Sequence, residues 1–403
     1  MNYLVLSDEL FPKTNANGIC LKNIINEIEK QGHCVKYVSR VSDRKYISRD
    51  ESAINFYYNQ LLSWSSCNSL SKKIVYIFKR VFSYFEYPRI NKELVGKYFS
   101  SAKIIIDSFD IDVIFCVCNP IETVEASVKL KEIYKDIKIV LYNLDTVSDI
   151  PFPRIEKPIA NYLTQKAFKW EKRSFSVVDV IVNLKCHEIH FDKSLYKDYH
   201  HKMLFQDIPM LVKPSLSIKK IKSNTTKRLV YAGSFYRTLR EPSILIDLLD
   251  NIPILNYRFS IYTSIAYCDI IRKMLNEATI IDVNEYLKSD ELNKEVLNSD
   301  ILVSLGNRES NMFPSKIVSY VAYGMPIIHI FQDDLDPVIS YLKPYSNKLL
   351  LDNRESCETN RKKIVDYLDK NHSNTPWEEI FSEYRESTPE YCAKQIIAAI
   401  KEK

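Results

Sequence analysis

The sequence predicts an α/β protein of two domains, each built on a parallel β-sheet with helices on both faces. Short apolar, β-branched runs alternate with segments whose apolar residues recur at helical spacing, the pattern of strands buried on both faces by crossover helices. A length of 403 residues exceeds the roughly 100–200 that one domain takes. Near the middle, a polar stretch from Lys213 to Arg228 with six basic residues and no acid interrupts the alternation and reads as an interdomain linker.

The elements follow in order. Residues 3–7 are an apolar strand, residues 8–18 a polar loop ending in Asn17-Gly18, and residues 19–31 a helix with Ile24, Ile25 and Ile28 on one face. Gly32 stands where a helix end takes a left-handed residue, and Cys34–Val38 resumes a strand. Strands over 112–118, 138–142 and 178–182 alternate with helices near 120–134 and 155–176. Beyond the linker, strands are expected over 229–232, 257–262, 301–305 and 326–330, separated by helices near 241–250, 267–276, 291–298 and 314–323.

Composition excludes several classes. With 46% hydrophobic and 27% charged residues the chain is neither disordered nor a membrane bundle. No apolar run approaches the roughly 18–20 residues of a membrane span, and Met1 leads straight into a strand pattern without a basic signal-peptide region, so a cytoplasmic protein is expected. Nine cysteines, with no CxxC pair, read as small buried hydrophobes in a reducing compartment. Only six glycines occur, leaving no GxGxxG after the first strand and no GxxxxGK[ST], which argues against dinucleotide oxidoreductases and P-loop enzymes.

Ligands of open parallel sheets bind beyond the carboxyl ends of the strands, and phosphate favours the unpaired N–H groups of a helix start. Two segments of the second domain meet that demand. Val230-Tyr-Ala-Gly233-Ser234 runs from a strand through a glycine and a hydroxyl to Arg237, Arg240 and Pro242. The second runs from Gly306-Asn307 through Asn311 to Pro314-Ser315-Lys316, where the proline suits a first helical turn; Gly324 then ends that helix before the next strand. Either segment is suited to hold a diphosphate.

At these residues the sequence resembles the GT-B glycosyltransferases, specifically the family 4-like enzymes that build bacterial surface polysaccharides from nucleotide sugars. The resemblance spans nearly the whole chain, through the Tyr3–Gly18 and Gly32–Val35 segments, Ala232-Gly233-Ser234, and Pro314-Ser315-Lys316 to Gly324-Met-Pro326-Ile-Ile328. It implies two Rossmann-like domains whose parallel sheets face across a central cleft: residues 1–207 binding the acceptor, 208–375 binding the nucleotide sugar, and 376–403 a C-terminal helix crossing back to the first domain. It implies donor contacts by Gly233, Ser234, Arg240, Ser315 and Lys316, with Arg237 a near rival to Arg240. Many family 4 enzymes carry two glutamates eight positions apart, the second five residues before the glycine matched by Gly324. Here those positions hold Asn311 and Ser319, which leaves Ser319 as a weaker substitute for the carboxylate that grips the ribose.

In the first domain, Asn17 and Gly18 lie on a loop expected to face the cleft, or form a simple left-handed turn. Asp145, just past a strand end, is the candidate for activating an acceptor hydroxyl, with a turn cap as its alternative; Glu122, at a helix start, is a weaker one. Asp334-Leu-Asp336 resembles a metal-binding DxD but precedes Pro337 and reads as a helix cap. His187-Glu-Ile-His190 and His200-His201 lack a third ligand at metal spacing, so neither metal nor cofactor is expected beyond the donor itself. Residues 71–103 carry eight Lys/Arg against two Glu, net +6. Apolar residues from Ile74 to Phe85 recur at helical spacing while Lys72, Lys73, Lys79 and Arg80 crowd the other side, so the segment either packs on the first domain or lies on an anionic inner-membrane surface. Nucleic acid is not expected, because no aromatic platform or groove-reading motif accompanies the charge. The function expected is transfer of a sugar from a nucleotide sugar to a glycan or lipid-linked acceptor; the alternatives are a nucleotide-sugar epimerase of the same fold and a non-catalytic sugar-nucleotide-binding relative.

Overall fold

A computed structural model of the protein describes residues 1–8, 10, 16–50, 52–58, 69, 71, 74, 87–149, 156–214, 226–237, 239–250, 252, 256–276, 279–308 and 312–403. The chain divides into two compact units, one formed by Met1–Pro209 with Pro389–Lys403 and the other by Met210–Thr388.

The first unit holds an eight-stranded sheet in the order β3-β4-β2-β1-β5-β6-β7-β8, parallel throughout except for the β3–β4 pair. Its strands are β1 (Asn2–Asp8), β2 (Cys34–Val41), β3 (Ser48–Arg49), β4 (Ala53–Tyr57), β5 (Val113–Val117), β6 (Lys138–Asn143), β7 (Val180–Leu184) and β8 (Met203–Gln206). Helices α1 (Ala16–Lys30), α2 (Lys92–Ser108), α3 (Glu122–Ile133) and α4 (Lys157–Val177) make the crossovers. Every residue of β5 and β7 is buried, as two helical layers over a parallel sheet require. The helix begins at Ala16 rather than at residue 19, so Asn17 and Gly18 belong to the first turn of α1 and not to a loop. Gly18 is not among the glycines with positive φ, and the Asn17 side chain ties that turn to Asp145.

The second unit holds a six-stranded parallel sheet in the order β11-β10-β9-β12-β13-β14. Its strands are β9 (Lys227–Ala232), β10 (Tyr257–Thr263), β11 (Ile281–Glu285), β12 (Ile301–Leu305), β13 (Ile327–Phe331) and β14 (Lys348–Asp352). The connecting helices are α5 (Ser243–Leu249), α6 (Ile265–Arg272), α7 (Ser289–Leu297), α8 (Lys316–Ala322), α9 (Pro337–Tyr341), α10 (Cys357–Leu368) and α11 (Trp377–Glu383). Gly324 ends the α8 turn at φ +69°, and a Cβ there would stand 2.2 Å from the carbonyl oxygen of Thr375. The backbone of Thr375 donates back to Gly324 O at 2.7 Å, so only glycine allows the 375 segment this close.

That contact explains a difference at the C-terminus. The segment expected as one piece over 376–403 splits, with α11 remaining in the second unit, where Tyr384 Oη donates to Tyr341 O at 3.0 Å. Only α12 (Pro389–Lys401) joins the first unit, packing its buried Cys392, Ala393, Ile396, Ile397 and Ile400 in an interface with α1, β7 and β8. The first boundary falls at Pro209–Met210 rather than after residue 207; Gln206 is bonded to Cys392 O at 2.9 Å and Leu211 N to Ser387 O at 3.0 Å, each within its own unit. Among the described residues no helix is long and apolar enough to cross a membrane.

Candidate functional site

The second unit gathers two cations, Arg240 and Lys316, at the carboxyl edge of β9 and β12. At the exit of β9, Ala232 N donates to Tyr320 Oη at 3.2 Å, and Gly233 N continues the ladder to Tyr262 O at 3.1 Å. A Cβ on Gly233 would stand 2.6 Å from Tyr231 Oη, which itself donates to Ser234 O at 3.2 Å. Glycine is thus imposed by the tyrosine beneath it, and the backbone can approach a ligand closely.

Lys316, the first residue of α8, reaches across to donate from Nζ to Ala232 O at 2.6 Å. Its ammonium lies 5.5 Å from the centroid of the Tyr286 ring. Surrounding protein atoms, and then the nearby Arg240 charge, push its pKa down to about 8. The residue keeps an exposed side, so water offsets part of that shift.

Arg240 ends a tight turn in which Tyr236 and Arg240 exchange both backbone hydrogen bonds, at 3.0 and 2.9 Å. Its guanidinium donates to Ser234 O at 3.4 Å and to Asn307 Oδ1 at 2.8 Å, while Nε is buried without a partner. Among the described residues neither Arg240 nor Lys316 forms an ion pair. Two adjacent cations bonded to neutral oxygens, with N–H groups to spare, favour one class of ligand: an anion with several acceptor oxygens. Ser234 Oγ and Tyr286 Oη meet at 2.7 Å on the rim.

The structure therefore brings Gly233, Ser234, Arg240 and Lys316 together. Arg237 is exposed in the turn, and among the described residues no hydrogen bond or ion pair joins it to Arg240 or Lys316. Ser315 precedes α8 without a side-chain capping bond, and Ser319 lies one turn further on with its carbonyl accepting from Tyr323 N at 3.1 Å. Asn311 lies outside the described residues, as do Lys72, Lys73, Lys79 and Arg80. Sequence reasoning missed Asn307 as a contact, although it stands next to Gly306 at a strand end. It also missed Tyr286, which directly follows a strand, β11, that was not expected.

In the first unit, Asp145 follows β6 half-buried and accepts from Asn17 Nδ2 at 3.3 Å. The loop behind it is braced by the buried Glu171, which accepts from the N–H groups of Val147 and Ser148, both at 3.0 Å, and from Tyr196 Oη at 2.6 Å. Ser148 Oγ bonds His190 Nε2 at 3.0 Å, so His190 belongs to this brace. Burial pushes the His187 imidazole down to about 4, against the opposing charge of Asp145, so it is neutral at physiological pH. Glu122 is buried and accepts from Asn91 N at 2.9 Å, anchoring the start of α2. Asp336 caps α9 by accepting from Val338 N at 2.9 Å, and Asp334 pairs with Arg354 at 2.5 Å. Among the described residues no group of three His, Cys, Asp or Glu is placed to hold a metal ion.

No protein-family model matches the chain, and no curated protein matches its sequence. Solved structures match over its full length. An α-glucosyltransferase in complex with UDP and a 13-mer DNA containing an HMU base aligns with TM-score 0.60 at 12% identity, covering 100% of this chain and 99% of that one. The apo lipopolysaccharide outer core galactosyltransferase WaaB aligns with TM-score 0.58 at 10% identity, covering 100% and 99%. A Listeria monocytogenes structure described as a UDP-N-acetylglucosamine 2-epimerase aligns with TM-score 0.57 at 11% identity, covering 99% and 95%. The two parallel-sheet α/β units are those of the GT-B fold.

Proposed function

We propose that this GT-B chain is a glycosyltransferase that takes a sugar from a nucleoside diphosphate sugar and delivers it to a hydroxyl of a glycan or lipid-linked glycan in bacterial surface polysaccharide synthesis. One observation carries the donor half: the Arg240 guanidinium and Lys316 ammonium stand together, bonded among the described residues only to neutral oxygens, beside a glycine that opens the β9 edge. As the glycosidic bond to the leaving diphosphate breaks, negative charge grows on its oxygens. Two preorganised cations stabilise that charge without the reorganisation water would need. The lowered pKa of Lys316 suits this task, since a bound diphosphate favours the charged ammonium that burial and the Arg240 charge disfavour.

Donor contacts are assigned to Gly233, Ser234, Arg240 and Lys316, with Ser315, Ser319, Arg237 and Asn311 as outlying members of the set. Asp145 is assigned the acceptor side, as the carboxylate that orients or deprotonates the incoming hydroxyl. A peripheral position on an anionic inner-membrane surface, held by Lys72, Lys73, Lys79 and Arg80, fits a lipid-linked acceptor and a cytoplasmic location.

Incubating the protein with a panel of nucleotide sugars, with and without glycan acceptors, tests the proposal. Release of free nucleoside diphosphate that depends on acceptor supports transfer. Isomerisation of the sugar without acceptor identifies an epimerase instead, and binding without turnover identifies a non-catalytic relative.

A further inference from the structure

We propose that Gln332 is a positioning residue that sets Arg240 in place beside Lys316, a role that rests on the donor-site reading above. Gln332 follows β13 directly, and its side-chain amide spends both N–H groups on backbone carbonyls from two other segments. It donates to Leu239 O at 3.1 Å, next to Arg240 in the tight turn after β9, and to Gly306 O at 2.7 Å, next to Asn307 in the loop after β12. Arg240 and Asn307 are themselves joined at 2.8 Å. One planar amide thereby fixes the spacing of the two loops whose following residues form the guanidinium contact.

The loop that Gln332 grips is seated from below. Gly306 N donates to Ile330 O at 2.8 Å, and a Cβ on Gly306 would fall 1.9 Å from Asp336 Oδ2. Asp336 is held by Val338 N and, at 3.1 Å, by the buried His329, which in turn meets Ser304 Oγ at 3.1 Å. Among the described residues the Arg240 turn has no comparable floor. Its links to the loop are Arg308 N to Leu239 O at 2.8 Å, the Arg240–Asn307 bond, and Gln332. Gln332 thus ties the less supported partner to the seated one, so that Arg240 meets an anion already oriented rather than losing rotamer freedom on binding. No other neutral side chain of this length offers two donors in one plane, and a glutamate would set two acceptors against two carbonyls.

The test uses the full-length protein and calorimetric affinity for UDP, with inorganic pyrophosphate as a base-free probe. Gln332→Met keeps the volume and removes both donors; Gln332→Glu keeps the shape and inverts them. In the wild-type background Gln332→Met should weaken UDP binding about tenfold, and Gln332→Glu more, with the melting temperature nearly unchanged. In an Arg240→Met background, Gln332→Met should change affinity by no more than about twofold, since nothing is left to position. An equal loss in both backgrounds, or no loss in either, overturns the role of Gln332 while leaving the donor site standing. A wild-type protein that binds neither a nucleoside diphosphate nor pyrophosphate overturns the donor-site reading and this proposal with it.

Discussion

Raising the pH should weaken nucleotide binding in a way that one side chain controls. With its pKa near 8, Lys316 is about nine-tenths protonated at pH 7 and about one-tenth protonated at pH 9. If the diphosphate binds only the ammonium form, affinity falls as pH rises through the free-protein pKa, by up to about tenfold between pH 7 and 9. Solvent on the exposed side of the residue lowers that figure, so a fall of about five- to tenfold is expected. A lysine at the ordinary value near 10.4 would lose less than about 5% over the same range. The diphosphate does not supply the change, because a terminal phosphate with a second pKa of about 6 is already ionised there. Calorimetric titration with UDP from pH 6.5 to 9.5 measures the slope, and in buffers of different ionisation heat it also registers the proton taken up near pH 8. Lys316→Arg, charged at every pH in the range, should flatten the profile. A wild-type affinity constant to pH 9.5, or an identical slope in Lys316→Arg, refutes the reasoning.

Gly324→Ala should cost about 2–4 kcal/mol, the sum of a left-handed backbone and a Cβ driven onto Thr375 O, seen as a lower urea midpoint for the second unit; an unchanged midpoint contradicts the close packing. Asp145→Asn should cut acceptor-dependent turnover at least about a hundredfold while leaving UDP affinity within about twofold, the split expected of a group acting on the acceptor; a matching loss of affinity places it elsewhere. Replacing Lys72, Lys73, Lys79 and Arg80 with Ser should abolish binding to anionic vesicles, at about 1 kcal/mol per charge, without affecting soluble-acceptor turnover. A wild-type protein that ignores such vesicles at low salt removes the membrane from the account.

The legible part of the fold was the part buried on both faces. β5, β7 and β12 have no exposed residue, so their sequences are apolar runs broken at most once, by Asn183 in β7 and Ser304 in β12. The strands that sequence reasoning passed over stand towards the sheet edges. β11 reads Ile-Asp-Val-Asn-Glu with one buried residue and leaves no apolar run to detect, while β14 offers only the three leucines 349–351 between charged residues, too short a run to separate a strand from a helix turn. The site divides in the same way. Gly233, Arg240 and Lys316 sit at a strand exit, in the turn beyond it and at a helix start, where the sequence marks the geometry. Asn307, Tyr286 and Gln332 join the site across strands distant in sequence, partly through backbone carbonyls, and no spacing rule announces them. The start of α1 was misplaced because Asn17-Gly18 has the composition of a turn, whereas the bond from Asn17 to Asp145, on a segment far along the chain, secures it as helix.

The central claim is that Arg240 and Lys316 together receive a diphosphate, and titrating the wild type and an Arg240→Met/Lys316→Met double variant with a panel of nucleoside diphosphates tests it most directly. At least one nucleotide should bind the wild type and none the double variant, which should keep the wild-type melting temperature without ligand. Equal binding to both proteins would place the nucleotide elsewhere, and binding to neither would contradict the donor site itself.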